Sequence, residues 1–362
     1  MESTIKAQFL KNCWYVCGFE DEIPTDGHLA RQILGERVLL YRTSEGSLVA
    51  MEDRCPHRLV PLSCGHRVGN AMQCAYHGMV FDEQGKCMHI PGQDQIPSTA
   101  RVRTYPIEQR HGHCWIWMGD PDRADPDTIP HVPWPALEGW TAVKGYKHVP
   151  ADYRLLNDNL LDLSHETYVH EGTIGNSQEQ TIADYQPTIS IAEGQVVHVA
   201  REMANVDPPP WFQMILETTD PIDRWQIASW AAPSINMTTT GGKRAGAPIE
   251  DGKVGRVLHL LTPETEHSTH YFFSFSRHFR LDDAGLDTQL LDALSRTFDE
   301  DKVMIALQQR EILDTGRSVP VVAIKVDDGP LRARRILSAR IKREEAGEVE
   351  AIVPVALAYE TA

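Results

Sequence analysis

Short apolar runs alternate with turn residues over the first 120 residues of the chain. Residues 38–41, 48–51, 79–81 and 114–118 are rich in aliphatic, aromatic and sulfur-containing side chains, and Gly, Asp and Ser separate them. Residues 83–86 have the composition of a hairpin turn. Runs of this length between turn signals are typical of strands. We therefore predict a β-rich domain over residues 1–120.

A different pattern follows it. Five prolines lie between positions 121 and 135, and such a segment continues neither a helix nor a central strand, so residues 121–140 are predicted to connect two domains. Residues 141–362 are predicted to form the second domain. Its candidate elements are a helical segment at 152–170, strands at 196–200, 225–230, 257–261 and 270–275, and a long amphipathic helix at 286–314.

One acidic residue falls inside the apolar stripe of the long helix. The stripe consists of Leu290, Leu294, Phe298, Ile305 and Ile312, spaced as on one helical face. Asp301 lies within it, whereas Asp299 and Glu300 are expected to point away from its centre. A buried carboxylate is costly unless it is paired or bound to a metal. Asp301 is therefore predicted to be a metal ligand, and a buried salt bridge to an arginine is the alternative.

Composition limits the function classes. A chain of 362 residues is long enough for two domains, and its net charge of −16 argues against binding to nucleic acid or to an anionic membrane. No run approaches the 18 apolar residues of a membrane span, and the first twelve residues show no export signal. The seven cysteines are odd in number and scattered. We expect a cytoplasmic protein with reduced thiols.

Two Cys/His pairs carry the strongest chemical signal. Cys55 and His57 form a C-x-H pair, and Cys74 and His77 form a C-x-x-H pair sixteen residues later. A Rieske [2Fe–2S] centre holds one iron by two thiolates and the other by two imidazoles. The pattern resembles the Rieske motif, including the proline after the first cysteine and the glycine after the last histidine. A structural zinc site is the alternative, although zinc fingers usually pair like ligands with like.

A second candidate site lies in the helical segment. His165 and His170 could supply the two imidazoles of the triad of two histidines and one carboxylate that holds oxygen-activating iron. Their spacing is one residue more than an ideal helical turn, so a distorted or ending helix is expected there. Asp301 would be the third ligand.

Together these motifs resemble the Rieske non-haem iron oxygenases over almost the whole chain, and most closely the oxygenase components of vanillate and dicamba O-demethylases. The late Glu-Asp-Lys and the Thr-Pro-Glu-Thr segment add to the likeness, while Ala75 and Met79 depart from the ring-dihydroxylating members. The resemblance implies an α+β protein. Its parts would be an N-terminal Rieske β-sandwich and a C-terminal helix-grip domain in which an antiparallel sheet wraps a long helix.

The resemblance also implies further roles. A head-to-tail homotrimer is expected, in which Asp162 links His165 to His77 of the partner subunit. Asn159 is expected to lie beside the metal ligands, and His259 matches a position that contacts substrate in dicamba demethylase. A strand histidine with an ordinary hydrogen bond remains the alternative for His259.

The implied reaction uses O₂ and electrons from NAD(P)H, delivered by a separate flavin and iron–sulfur reductase, because no G-x-G-x-x-G segment is present in this chain. The expected substrate is a small aromatic molecule, which is monooxygenated and most simply O-demethylated. Methyl, ring or N-methyl hydroxylation is the alternative within the family. Outside it stand a Rieske electron carrier without catalysis and a zinc-binding adaptor.

Overall fold

A computed structural model describes residues 9–315, 320–348 and 357. The chain divides into two compact units. The first comprises residues up to Ile129 together with Thr262–Glu266, and the second comprises Pro130–Leu261 and the residues from His267 onward.

The first unit is mostly β. In its described residues, ten strands form three small antiparallel sheets, ordered β1-β10-β9, β2-β3-β4 and β5-β6-β7-β8. Each strand run predicted from the sequence coincides with one of them, and residues 83–86 turn between β7 and β8 as expected. The strands are β1 (Trp14–Phe19), β2 (Leu29–Ile33), β3 (Glu36–Arg42), β4 (Leu48–Glu52), β5 (His66–Val68), β6 (Ala71–Gln73), β7 (Val80–Phe81), β8 (Cys87–His89), β9 (Ile107–Arg110) and β10 (His113–Trp117).

The prolines after residue 120 form short 3₁₀ turns rather than longer elements. Asp120 and Asp125 each precede a proline, and each carboxylate accepts a hydrogen bond from the amide two residues on, at 3.1 and 3.0 Å. Proline suits the first position of a turn because its missing N–H would have no partner there.

The second unit is built on a seven-stranded antiparallel sheet in the order β11-β17-β16-β15-β14-β13-β12. The four strands predicted here are present, each longer than its apolar core suggested. The strands are β11 (Thr141–Val149), β12 (Thr188–Ala192), β13 (Val196–Val206), β14 (Ile222–Ala231), β15 (Ile235–Arg244), β16 (Lys253–Thr265) and β17 (Ser268–Arg277), and the helices are α1 (Tyr153–Leu161), α2 (Glu166–Val169), α3 (Pro210–Leu216), α4 (Ala284–Thr315) and α5 (Asp328–Glu345).

The long helix α4 packs its apolar face on the sheet, which confirms the predicted helix-grip arrangement. The Phe298 ring lies 4.8 Å from that of Phe273 and 5.3 Å from that of Tyr271, both on β17. The first four members of the predicted stripe are buried. The inclusion of Ile312 was wrong, because its side chain is 39% exposed near the end of the helix.

Two sequence expectations about the wider chain can be compared with the structure. Of the five cysteines outside the Cys/His pairs, four are buried thiols as expected, but Cys64 is exposed. Within the described residues, none of the helices combines the length and the apolar character needed to cross a bilayer.

Candidate metal centres

The two Cys/His loops of the first unit share one backbone design. The amide of each cysteine donates to the carbonyl five residues later, at 2.9 Å for Cys55 and 2.8 Å for Cys74. The amide four residues after each cysteine donates back to the cysteine carbonyl, at 2.9 and 3.1 Å. That fourth residue adopts positive φ in both loops, 61° at Leu59 and 69° at Gly78. Glycine takes this conformation freely, and a Cβ at position 78 would also lie 3.0 Å from Pro91.

This design separates the thiols from the imidazoles. Cys55 and Cys74 are each 2% exposed and belong to the hydrophobic core of the unit. Burial, with a smaller contribution from the Cys74 thiol, raises the pKa of Cys55 to about 11. His57 and His77 are exposed, with ring centroids 4.6 Å apart. A buried thiol pair beside an outward imidazole pair fits the ligand set of a Rieske cluster, in which one iron is held by each pair.

In the second unit, the break between α1 and α2 positions the two histidines. Helix α1 ends at Leu161, and Asp162 caps the following 3₁₀ turn by accepting a hydrogen bond from the Ser164 amide at 3.0 Å. His165 ends that turn, and His170 follows the last residue of α2. The predicted helix distortion is therefore present, and it brings both rings to one side of the segment.

Asp301 of α4 completes the group. Its Oδ1 atom lies 3.3 Å from Nε2 of His165 and 3.1 Å from Nε2 of His170. The three ligand atoms all lie within 4.8 Å of one another. Two imidazoles and one carboxylate are the donor set of non-haem iron(II) oxygenases, which leaves coordination positions open for O₂ and substrate. The arrangement thus fits the predicted metal.

The far nitrogen of each ring is held by an oxygen atom. His165 Nδ1 donates to the backbone carbonyl of Asp162 at 2.5 Å, and His170 Nδ1 lies 2.7 Å from Oε2 of Glu300. Partners of this kind fix the orientation of a ligating imidazole and leave Nε2 for the metal. Glu300 lies away from the centre of the apolar stripe, as expected, but it still contacts His170, because that ring lies at the edge of the helix face, within reach of the residue before Asp301.

His165, His170 and Asp301, here called the trio, strongly shift one another's pKa values. Burial alone would lower the pKa of His165, but the hydrogen bond and charge of Asp301 outweigh it and raise the pKa to about 9. The pKa of His170 is raised against the effect of burial for the same reason. Burial alone would raise the pKa of Asp301, but the two imidazoles hold it well below its ordinary range. The carboxylate is therefore ionised and available as a ligand.

Asn159 and Asp162 occupy different positions around the trio. Asn159 Nδ2 donates to Asp301 Oδ1 at 3.0 Å and lies 3.3 Å from His165 Nε2. The Asp162 carboxylate accepts from the Ser164 amide at 3.0 Å, and its Oδ1 lies 3.8 Å from the guanidinium of buried Arg201. His165 contacts the backbone carbonyl of Asp162 and not the carboxylate through which the link was expected, and the Asp162 side chain is 20% exposed.

A pocket opens beside the trio and brings most of the predicted residues together. Asn159, His165, His170, His259 and Asp301 all line it, whereas Asp162 does not. The void measures about 60 Å³, less than the roughly 150 Å³ of an apolar cavity known to hold benzene. An aromatic ring therefore requires lining side chains to move. The apolar part of the wall consists of Leu160, Leu163, Ile174, Trp211, Phe212, Val257, Leu294 and Phe298.

His259 is a neutral polar group in this wall. Its Nδ1 lies 2.6 Å from the hydroxyl of Tyr271, and its Nε2 lies 3.4 Å from Oγ1 of Thr238. Burial lowers the pKa of His259 to about 3. The ring is therefore an uncharged polar group whose two nitrogens contact Tyr271 and Thr238.

The sequence analysis missed a second polar part of the wall. Glu166, Arg224 and Gln226 line the pocket and are all buried. Arg224 and Gln226 lie on the same face of β14 as Ile222, Ala228 and Trp230, because every second residue of a strand points to the same side. In the sequence, these polar residues among the apolar positions of one strand face were the signal that could have revealed the polar wall.

Comparison with known proteins agrees with the geometry. Residues 13–106 match the Rieske [2Fe-2S] domain, and residues 149–343 match the vanillate O-demethylase oxygenase C-terminal domain. The chain belongs to the vanillate O-demethylase group of Rieske oxygenases. This oxygenase is 36% identical to the iron–sulfur subunit of a toluene-4-sulfonate monooxygenase system from Comamonas testosteroni, over 94% of this chain and 99% of that one.

Two further relatives are a vanillate O-demethylase subunit and dicamba monooxygenase. The oxygenase is 35% identical to a vanillate O-demethylase oxygenase subunit from a Pseudomonas species, over 95% of this chain and 98% of that one. Dicamba monooxygenase bound to 3,6-dichlorosalicylic acid superposes with a TM-score of 0.88 at 32% identity, covering 93% of this chain and 99% of that one. The same protein with non-haem iron and dicamba gives 0.81. The chain is thus an oxygenase component of a Rieske non-haem iron monooxygenase, and the electron-carrier and zinc-adaptor alternatives no longer apply.

Proposed function

We propose that the oxygenase O-demethylates a small aromatic substrate. The observation that carries the proposal is one pocket in which His165, His170 and Asp301 stand at one end and the remaining wall is largely apolar. The vanillate-type relatives support the methoxy group as the site of attack. The overall change is Ar–OCH₃ + O₂ + 2e⁻ + 2H⁺ → Ar–OH + CH₂O + H₂O.

The residues divide this work between two centres. Bound to Cys55, His57, Cys74 and His77, a [2Fe–2S] cluster supplies single electrons, and Fe(II) at the second site supplies O₂ activation. In the second unit, Glu300 and the Asp162 carbonyl orient the two imidazoles, and Asn159 holds the ligating carboxylate. The apolar wall orients the ring and excludes water. The two electrons come from NAD(P)H through a separate reductase.

We further propose that the oxygenase works as a head-to-tail homotrimer in the reducing cytoplasm. The seven cysteines, odd in number and scattered along the chain, support that compartment. Two exposed apolar surfaces support subunit contact. Leu59 and Tyr76 beside the cluster histidines are 64% and 55% exposed, and Val303 and Met304 of α4 are 59% and 52% exposed. The carboxylate of Asp162, partly exposed and held by a turn, would then accept a hydrogen bond from His77 of the partner subunit.

Two measurements test this proposal. Metal analysis should give three irons per chain, two in the cluster and one at the trio, and light scattering in solution should give three chains per particle. Turnover of methoxy- and methyl-substituted aromatic acids with a surrogate reductase should then release formaldehyde. Hydroxymethyl products without formaldehyde would instead assign methyl hydroxylation, and failure to consume O₂ with any substrate of the series would refute the proposal.

A further inference from the structure

The inner face of β14 places two buried polar side chains in the pocket wall. Arg224 and Gln226 are 2% and 3% exposed, and both line the pocket that contains the histidine–carboxylate trio. Alternate residues of a strand point to the same side of a sheet. The two side chains therefore stand next to each other on one wall of the pocket.

The orientation of the Gln226 amide is fixed by Glu166. The Gln226 amide nitrogen lies 2.8 and 2.7 Å from the two carboxylate oxygens of Glu166. A carboxylate only accepts hydrogen bonds, so the amide nitrogen must face it and Oε1 must face away. Within the described parts of the chain, this buried Oε1 has no hydrogen-bond partner. The wall thus contains an unused acceptor.

Arg224 supplies a complementary donor. Its Nη1 donates to the Ile174 carbonyl at 3.0 Å and to Asn176 Oδ1 at 2.8 Å, and its Nη2 lies 3.5 Å from Glu166 Oε2. The guanidinium also lies 4.8 Å from the centre of the Phe212 ring. These contacts fix the guanidinium plane. Its Nε–H is buried and unpaired among the residues that the structure describes.

These two atoms define which chemical group can bind between them. A buried polar atom without a partner is destabilising, and a bound ligand that pairs with it removes this cost. Nε–H requires an acceptor, and the Gln226 oxygen requires a donor. A carboxylate or sulfonate can accept but cannot donate, and Glu166 already compensates the charge of Arg224. An acidic group would therefore leave the glutamine unpaired.

We propose that Arg224 and Gln226 bind an uncharged substrate group that both accepts and donates a hydrogen bond, namely a phenolic hydroxyl or a primary carboxamide. This inference rests on the proposed function, since it names the substrate class of the same pocket. It makes Arg224 and Gln226 substrate-binding residues and assigns them no part in the oxidation itself.

The test is a binding series in which only one ring substituent changes. Five para-substituted anisoles are titrated calorimetrically into the iron-loaded holoenzyme without O₂: 4-methoxyphenol, 4-methoxybenzamide, 1,4-dimethoxybenzene, 4-methoxytoluene and 4-methoxybenzoate. The phenol or the amide should bind about tenfold more tightly than 4-methoxytoluene, because two net hydrogen bonds contribute about 1.4 kcal/mol. It should bind about threefold more tightly than 1,4-dimethoxybenzene, because the ether oxygen still accepts from Arg224 and only one bond is lost. Whichever of the two binds more tightly identifies the hydroxyl or the amide as the preferred group.

Variants then test whether Gln226 in the pocket wall causes this binding preference. Gln226→Met should abolish the advantage of the preferred compound over 1,4-dimethoxybenzene, because both compounds then keep only the hydrogen bond from Arg224. Gln309→Met is the matched control, because Gln309 is also buried but accepts its hydrogen bond from the Asp152 amide and does not line the pocket. It should keep the full advantage.

Several results would overturn the inference. Equal or tighter binding of 1,4-dimethoxybenzene or 4-methoxybenzoate in the unaltered protein refutes it whether or not the variants fold. An advantage over 1,4-dimethoxybenzene that survives Gln226→Met refutes it as well. Binding of all five rings without preference refutes this inference alone, whereas binding of none refutes the proposed function too.

Discussion

Replacing Glu300 with alanine is expected to weaken iron binding at the trio while leaving the Rieske cluster intact. The Glu300 carboxylate lies 2.7 Å from Nδ1 of His170 and fixes the ring so that Nε2 faces Asp301. It also makes the imidazole a stronger donor to a metal. Alanine removes both effects but leaves the three ligands in place.

The size of the effect follows from burial. Partners of ligating histidines typically contribute 10- to 100-fold, or about 1.4–2.7 kcal/mol, to metal affinity. The His170 side chain is 1% exposed, but that of Glu300 is 32% exposed. Water can therefore replace part of the lost acceptor. We expect the lower end of the range, about tenfold. Glu300→Gln should lose less, since the amide oxygen still accepts the hydrogen bond.

The assay is an anaerobic Fe(II) titration against a chromophoric chelator, with visible absorbance reporting the cluster. Asp299→Ala is the matched control on the same helix. Asp299 lies 2.7 Å from Nζ of Lys147 and is 59% exposed, so its removal should change iron affinity less than twofold, as for an exposed ion pair. Unchanged affinity in Glu300→Ala, or an equal loss in Asp299→Ala, would refute the role given to Glu300.

Three further predictions concern the same unit. Asp301→Ala should remove the mononuclear iron and keep the absorbance of the cluster; iron analysis that still finds three irons per chain would mean that another carboxylate is the ligand. Asp162→Ala should retain both centres yet nearly abolish substrate-coupled O₂ uptake, and full uptake in an oxygen electrode would contradict the bridging role. In His259→Asn, the free energy of unfolding should depend less steeply on pH in the acid range. Burial lowers the pKa of His259 to about 3, below an unfolded value of about 6.5, so the unfolded state binds one more proton between these values and the free energy of unfolding falls by about 1.4 kcal/mol for each unit of decreasing pH. Denaturant titrations at pH 6 and pH 5 should show this slope in the unaltered protein and a shallower one in the variant; equal slopes would be evidence against a buried neutral imidazole.

Local sequence was sufficient to propose the ligands of both centres. The four cluster residues lie in two short loops whose backbone hydrogen bonds close within five residues of each cysteine. Such loops form from local interactions, so spacing alone predicts them. His165 and His170 are five residues apart, and their distorted helix was likewise predicted. Asp301 lies far along the chain, but a carboxylate inside an apolar stripe is an energetic anomaly that the sequence itself displays.

The surroundings of the ligands depended on the tertiary structure. Glu300 reaches His170 only because the break between α1 and α2 places that ring at the edge of α4, a distance across 130 residues of sequence. The Arg224–Gln226 wall depends in the same way on Glu166, which lies 58 and 60 residues away in the chain. The apolar residues on the same face of β14 indicated burial, but the sequence could not show that Glu166 pairs with this arginine and glutamine.

What the sequence by itself determined is therefore the candidate chemistry: which side chains are the candidate metal ligands, and that a long helix carries the last of them. The tertiary structure alone decided which groups orient those ligands and which atoms of the pocket remain without a partner. The physical reason is the sequence distance between the residues that determine each feature. Ligand motifs and apolar periodicity are set within a few residues, whereas hydrogen-bond pairing in a buried pocket depends on strands and helices that meet only after folding.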